Sequence, residues 1–226
     1  MIHSHGVVAL VPMKGHSERV PNKNLLPIAG RPLCDWVIRT LKACPEVSEI
    51  VVNTDSDAIA AHVREEHGAT VHMRPEELCG DFVSMNRIIE YDLQRLGSPE
   101  RVIQTHSTNP LLTSATITES CERVFGDTAH DSGFTVTQLQ GRFFDANGAP
   151  INHNPDELLR TQDLPPLYLE NSNLYVFSSA SFARHQRRIG TTPLMISMSA
   201  EEAVDIDTWF EWHVAASLLN LRQGTA

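Results

Sequence analysis

The sequence predicts an α/β protein with a doubly wound, mostly parallel sheet and a small antiparallel arm inserted in its second half. Three observations carry this expectation. The run Gly6-Val-Val-Ala-Leu-Val-Pro12 is continuously apolar, as a parallel strand covered on both faces must be. Short apolar runs then alternate with helix-spaced segments as far as Phe125. Between Phe134 and Glu170 that alternation stops and turn signals take over.

A Gly/Pro/Asn-rich loop, Lys14 to Gly30, follows the first strand. Pro32 suits a first helical position, and Leu33, Trp36, Val37, Thr40 and Leu41 recur at helical spacing. Glu49 to Thr54 reads as the second strand. Asp55 and Ser56 are the caps expected for a helix from Asp57 that Gly68 ends. Thr70 to Met73 is a third strand, Met85 to Leu96 a helix, and Arg101 to Thr105 a strand. Ser114 is the expected cap of a helix through Phe125. Asn147-Gly148, Asn154-Pro155 and Pro165-Pro166 mark the irregular arm. Asn173 to Phe177 and Leu194 to Ser197 return to strand, and a last helix runs from about Asp207 to Leu221. No repeat or long linker divides the chain, so residues 1–226 read as one domain with an inserted arm at about 134–170.

The chain has 226 residues, enough to bury a core, with 18 basic against 28 acidic side chains and a net charge of −10. That balance excludes a general nucleic-acid binder and a polybasic membrane-surface protein. No apolar run reaches the roughly 18 to 20 residues of a membrane span. Met1 to Gly6 lacks the basic and apolar regions of a secretion signal. Cys34, Cys44, Cys79 and Cys121 form no Cys-x-x-Cys pair, which points to reduced thiols and a cytoplasmic protein. His3-x-His5 is a weak metal pattern at a chain end.

Charge is unevenly placed. Lys14, Arg19 and Lys23 fall within ten residues, directly after the first strand. In an open α/β sheet, ligands bind beyond the carboxyl ends of the strands. Small residues there let backbone N–H groups approach an anion, and cations neutralise it. The loop is neither a Walker A sequence nor a Gly-x-Gly-x-x-Gly fingerprint. The competing reading is a solvated loop whose charges serve solubility.

The segment Lys14-Gly15-His16-Ser17-Glu18-Arg19-Val20-Pro21, followed by Lys23-Asn24, resembles the signature of the sugar-acid cytidylyltransferases of the CMP-sialic acid synthetase type. Its Ser17-x-Arg19-x-Pro21-x-Lys23 spacing is similar to that of the related CMP-Kdo synthetases. The resemblance continues in order through Ile50 to Asp55, Arg74-Pro75-Glu76-Glu77-Leu78 with Asp81 and Ser84, Thr105 to Leu111, Asn171 to Tyr175, and Val204-Asp205-Ile206-Asp207-Thr208. It departs at Lys14, where the family usually has Arg; at Glu18, for Lys; at His106, for Gln; at Asn109, for Ser; and at Leu169, for an Arg that meets the sugar carboxylate.

The resemblance implies a Rossmann-like nucleotidyltransferase that moves CMP from CTP to the anomeric hydroxyl of a sialic-acid-like (nonulosonic) or related acidic sugar, releasing pyrophosphate. It implies that Lys14 and Lys23 hold the triphosphate with Arg19 helping, that Gly15 and Ser17 belong to the same cradle, and that Asn24, Ser84 and His106 contact base or ribose. It also implies that Asp205 and Asp207 bind Mg²⁺, although taken alone Asp207 reads equally well as the cap of the last helix. Arg142 and Arg160 are candidates for the sugar carboxylate, with surface charge as their competing role. Gln162 and Asp163 are candidates for the pocket wall. The resemblance also implies a homodimer, with the arm reaching toward the partner. Two other readings stay open: a nucleotidyltransferase acting on a sugar phosphate, and a non-catalytic nucleotide- or sugar-binding module.

Overall fold

The computed structural model describes residues 6–224, so His3 and His5 lie outside the described residues. Strand β1 (Val7–Met13) is buried at every position, as its apolar run requires. The loop after it contains a two-residue hairpin, β2 (Pro27–Ile28) and β3 (Arg31–Pro32). There follow α1 (Leu33–Lys42), β4 (Val47–Thr54), α2 (Asp57–His67), β5 (Thr70–Met73), α3 (Met85–Arg95), β6 (Arg101–Thr105) and α4 (Ser114–Phe125). The second half holds β7 (Ser132–Leu139), β8 (Leu167–Ser178), α5 (Ser179–His185), β9 (Pro193–Ser197) and α6 (Trp209–Gly224).

The seven-stranded sheet has the order β5-β4-β1-β6-β8-β7-β9. β8 alone runs antiparallel to its neighbours β6 and β7, and every other pair is parallel. One face packs on α1, α2 and α4 through Val37, Ile38, Ile59, Val63, Ile117 and Val124. The other packs on α3 and α5 through Ile89, Leu93 and Phe182. A third cluster joins α6 (Trp212, Ala215, Leu219) to Val20, Ile28, Leu33, Leu111 and Ile206. Each fully buried aliphatic side chain contributes roughly 1.5–3 kcal/mol. The third cluster therefore fixes the loop after β1 to the segment that carries Asp205 and Asp207.

Local signals explain most element ends. Ser56 accepts the Ile59 N–H and starts α2, and Gly68 ends it at a left-handed φ of 62°. Four expectations need correction. Thr113, not Ser114, caps α4, because its side chain reaches the Thr116 N–H. Thr208, not Asp207, caps α6: its hydroxyl accepts the Phe210 N–H while Glu211 accepts the Thr208 N–H, a reciprocal box. Residues 134–139 are not arm but part of β7, and β8 begins at Leu167, so the irregular stretch narrows to the residues between them. Helix α5 stands where no helix was expected; it is seven residues long, started by Ser178 accepting the Ser181 N–H.

Candidate active site

β1 pairs with β4 on one side and β6 on the other, and the chain reverses direction of winding there. A cavity of about 590 Å³ opens at the carboxyl ends of these strands, where doubly wound folds bind ligands. Lys14, Ser17, Arg19, Lys23, Asn24, His106 and Asp207 all line it. The structure therefore brings together seven of the ten site residues expected from sequence.

The loop is anchored at both ends. Gly15 donates its N–H to Asp55 Oδ1 at 2.6 Å. A Cβ on Gly15 would come within 2.8 Å of the Ser56 Cβ, so only glycine fits this approach to the start of α2. Asn24 is buried; its amide donates to the Lys14 carbonyl at 2.8 Å and its Oδ1 accepts the Ser107 hydroxyl at 2.6 Å. Asn24 thus ties the cationic loop to the turn after β6. Lys23 is mostly covered, donates to the Ile206 carbonyl at 2.6 Å and stands 3.7 Å from Asp207 Oδ1. Burial lowers its proton affinity, and Asp207 and Asp205 oppose that shift. Arg19 pairs with the same Asp207 oxygen at 3.0 Å, and Lys14 with Asp81 at 2.8 Å.

Asp205, Ile206 and Asp207 run extended before α6, with Ile206 plugged into the third cluster and its N–H donated to the Thr108 carbonyl. The two carboxylates line different cavities. Asp207 lines the large cavity, and Asp205 lines a second cavity of about 360 Å³ beside Thr137, Leu169, Glu170, Asn171 and Ser172. Burial holds the Asp205 carboxyl above its ordinary range, and its Oδ1 is buried with no hydrogen-bond partner. Such an orphaned oxygen is costly unless a cation or donor completes it. Because Thr208 takes the capping role, Asp207 is left for the cavity.

His106 is held by a relay that sequence did not reveal. Arg188 donates to Gln104 Oε1, and Gln104 Nε2 then faces His106 Nε2 at 3.1 Å. An amide nitrogen only donates, so His106 Nε2 accepts and the imidazole proton sits on Nδ1. Burial, helped by Arg188 and Lys23, pushes the His106 pKa down to about 4, so the ring is neutral at pH 7. The Arg188 guanidinium also lies 3.6 Å over the Tyr175 ring, whose hydroxyl donates to Glu170 of the second cavity. Arg188 follows the unexpected helix α5 and lies far from every motif, so nothing in the sequence singled it out.

Arg74 is a second missed cation, and it lines the large cavity. It is buried, and its Nε donates to Asn53 Oδ1 at 2.8 Å, while Asn53 donates to Asp92 at 2.7 Å. This buried chain aims Arg74 from behind; the Arg74-Pro75 motif was its only sequence signal. Ser84 does not line the cavity. It caps α3 by accepting the Asn86 N–H, and its neighbours Val83 and Met85 form the wall. Gly15 likewise stands behind the cavity surface. Arg142 donates to the Leu159 carbonyl and Arg160 pairs with Asp163 at 2.7 Å, so both cations are engaged within the arm. Gln162 and Asp163 line neither cavity, whereas Leu169 and Glu170 line the second.

The cytidylyltransferase family profile matches residues 8–204. The chain belongs to the cytidylyltransferase family. It is 30% identical over 220 residues to N-acylneuraminate cytidylyltransferase A of Danio rerio, covering 94% of this chain and 50% of that protein. It is 26% identical over 217 residues to the N-acylneuraminate cytidylyltransferase of Streptococcus agalactiae serotype V, covering 89% and 50%. This cytidylyltransferase chain thus spans about half the length of the curated relatives it matches. Among solved structures, CMP:2-keto-3-deoxy-manno-octonic acid synthetase complexed with CTP matches with a TM-score of 0.73 at 14% identity, over 96% of this chain and 99% of that one. A 4-diphosphocytidyl-2C-methyl-D-erythritol synthase matches at 0.68 and 14%, over 96% and 100%. These likenesses bear out the doubly wound α/β fold expected from the strand–helix alternation and the nucleotidyltransferase fold that the resemblance implied.

Proposed function

We propose that this chain transfers CMP from CTP to the anomeric hydroxyl of a sialic-acid-like or related acidic sugar and releases pyrophosphate. One observation carries the reading: Asp205 and Asp207 stand between two cavities, with the cationic loop on one side only. A donor with a triphosphate suits the side of Lys14, Arg19 and Lys23. An acceptor suits the side of Glu170, Asn171 and Ser172. The names of the relatives, N-acylneuraminate cytidylyltransferases, support cytidine and an acidic sugar.

The chain's own groups do the positioning that phosphoryl-type transfer mainly requires. Lys23, mostly covered and pinned by the Ile206 carbonyl, presents its charge to the α- and β-phosphates. Arg19 and Lys14, both exposed, can leave their carboxylate partners and close on the triphosphate from the solvent side. Neutral His106 offers an Nδ1–H without adding charge. Arg74 and the wall of Val83, Met85 and Ile88 suit a flat base. Mg²⁺ fits the pair Asp205 and Asp207: both offer hard oxygens, and the buried Asp205 Oδ1 has no hydrogen-bond partner. When bound, Mg²⁺ would neutralise phosphate charge and lower the pKa of the acceptor hydroxyl.

Pyrophosphate release from CTP with Mg²⁺ and a panel of nonulosonic acids tests this reading. Release with an acid sugar supports it. Release only with a sugar phosphate would move the chain to that other class of nucleotidyltransferase. CTP binding without any release would make it a binding module.

We also propose a homodimer formed through the arm. Phe144, Ile151, Leu158 and Leu159 are exposed there, and Tyr168 and Leu169 are exposed at the adjoining start of β8. Apolar side chains gathered on one projection suit burial against a second copy. A monomer in sedimentation at micromolar concentration would overturn this assembly.

A further inference from the structure

Away from both cavities, α1 and α2 bring four side chains of zinc-binding type to one point. His62 Nε2 lies 2.7 Å and His67 Nε2 2.8 Å from the same atom, Asp35 Oδ1. Cys34 Sγ lies 3.7 Å from that oxygen as well. The donor atoms of Cys34, Asp35 and His62 are all within 4.8 Å of one another. None of the four lines either cavity.

Hydrogen bonding alone describes this cluster poorly. A carboxylate oxygen has two lone pairs, yet three donors converge on Oδ1. Among the described residues none donates to Oδ2, which such an arrangement would be expected to use first. Zinc bonds of about 2.0–2.3 Å would place tetrahedral ligand atoms roughly 3.2–3.8 Å apart, so the two imidazoles, now 2.7 and 2.8 Å from Asp35 Oδ1, would each draw back from it to admit the ion.

We propose that Cys34, Asp35, His62 and His67 form a zinc site that staples α1 to α2. Two imidazoles, a carboxylate and a thiolate suit zinc and not Mg²⁺, which prefers oxygen alone. The charges also close: Zn²⁺ with one carboxylate and one thiolate is neutral, as a half-buried site requires. Both imidazoles now donate Nε2–H to Asp35. On binding, each carries its proton on Nδ1 and offers the Nε2 lone pair, and Cys34 releases its thiol proton to solvent. One proton leaves per zinc taken up. The His62 side chain is 22% exposed, which gives the ion a way in.

The test uses the full chain, stripped with chelator and dialysed against Zn²⁺ in excess Mg²⁺. One zinc per chain should be retained, with a rise in Tm. A Co²⁺-loaded sample should show tetrahedral d–d bands and a thiolate charge-transfer band. The double variant His62→Gln/His67→Gln keeps His3 and His5 and should lose at least about tenfold in zinc affinity, together with the Tm rise. Cys34→Ser should lose the charge-transfer band; Cys34 is in the core, so the histidine variant decides the matter if this one does not fold. Zinc retention below one per chain, or retention unchanged in the double variant, overturns the proposal. An octahedral cobalt spectrum without the thiolate band does the same.

Discussion

Asp207 meets two cations and faces the larger cavity, so its carboxylate is the group whose loss should matter most. Asp207→Asn keeps the shape and removes the charge. Turnover should fall by at least ~10²-fold, the scale for deleting one preorganised electrostatic contact, with little change in Tm. Wild-type turnover and Mg²⁺ dependence in steady-state assays would remove the metal assignment. His106 makes a different prediction. Its folded pKa of about 4 lies below the ordinary 6.5, so the unfolded chain binds a proton first as pH falls. Stability is therefore full above pH 6.5 and is lost between 6.5 and 4, by ~1–3 kcal/mol. Urea unfolding of His106→Gln should show a flatter acid limb than the wild type; parallel limbs would contradict the neutral ring. Much of this was legible, because Lys14, Arg19 and Lys23 are adjacent in sequence and Asp205-x-Asp207 is short. Arg188 and Gln104 were not, since a relay through one amide leaves no spacing to read.

Secondary-structure boundaries follow the same division. Ser56 and Gly68 bracket α2 as their chemistry demands, and β1 is a parallel strand because its run is apolar on both faces. The two capping misreadings share one cause: two adjacent residues could each cap, and only packing chooses between them. Thr113 beats Ser114, and Thr208 with Glu211 beats Asp207. Helix α5 is too short to carry a periodic signal, and β7 was hidden because its polar Thr135 and Thr137 bond to Asn171 inside the sheet. The contact between loop and α2 can be tested at Gly15. Gly15→Ala should push the loop off Ser56 and raise the apparent KM for CTP by ~10-fold or more, leaving the melting transition within a few degrees. An unchanged KM would show that this loop does not hold the nucleotide.

For the molecule as a whole, the net charge of −10 hides a cationic loop on an acidic body. That arrangement suits one small polyanion carried with its metal better than a polymer. The sheet order places the loop, the turn after β6 and the Asp205–Asp207 segment at one end of the strands, though they lie nearly 200 residues apart in sequence. Sequence alone could expect that meeting from the strand–helix alternation, but it could not separate the two cavities, since each is lined by segments distant in sequence. The central claim is CMP transfer across that divide. Phosphorus NMR of CTP, Mg²⁺ and a nonulosonic acid with the protein tests it most directly. Growth of one pyrophosphate and one CMP phosphodiester per CTP consumed, absent with Asp207→Asn, is the predicted result. CTP left intact, or broken down to CMP without a sugar ester, would contradict it.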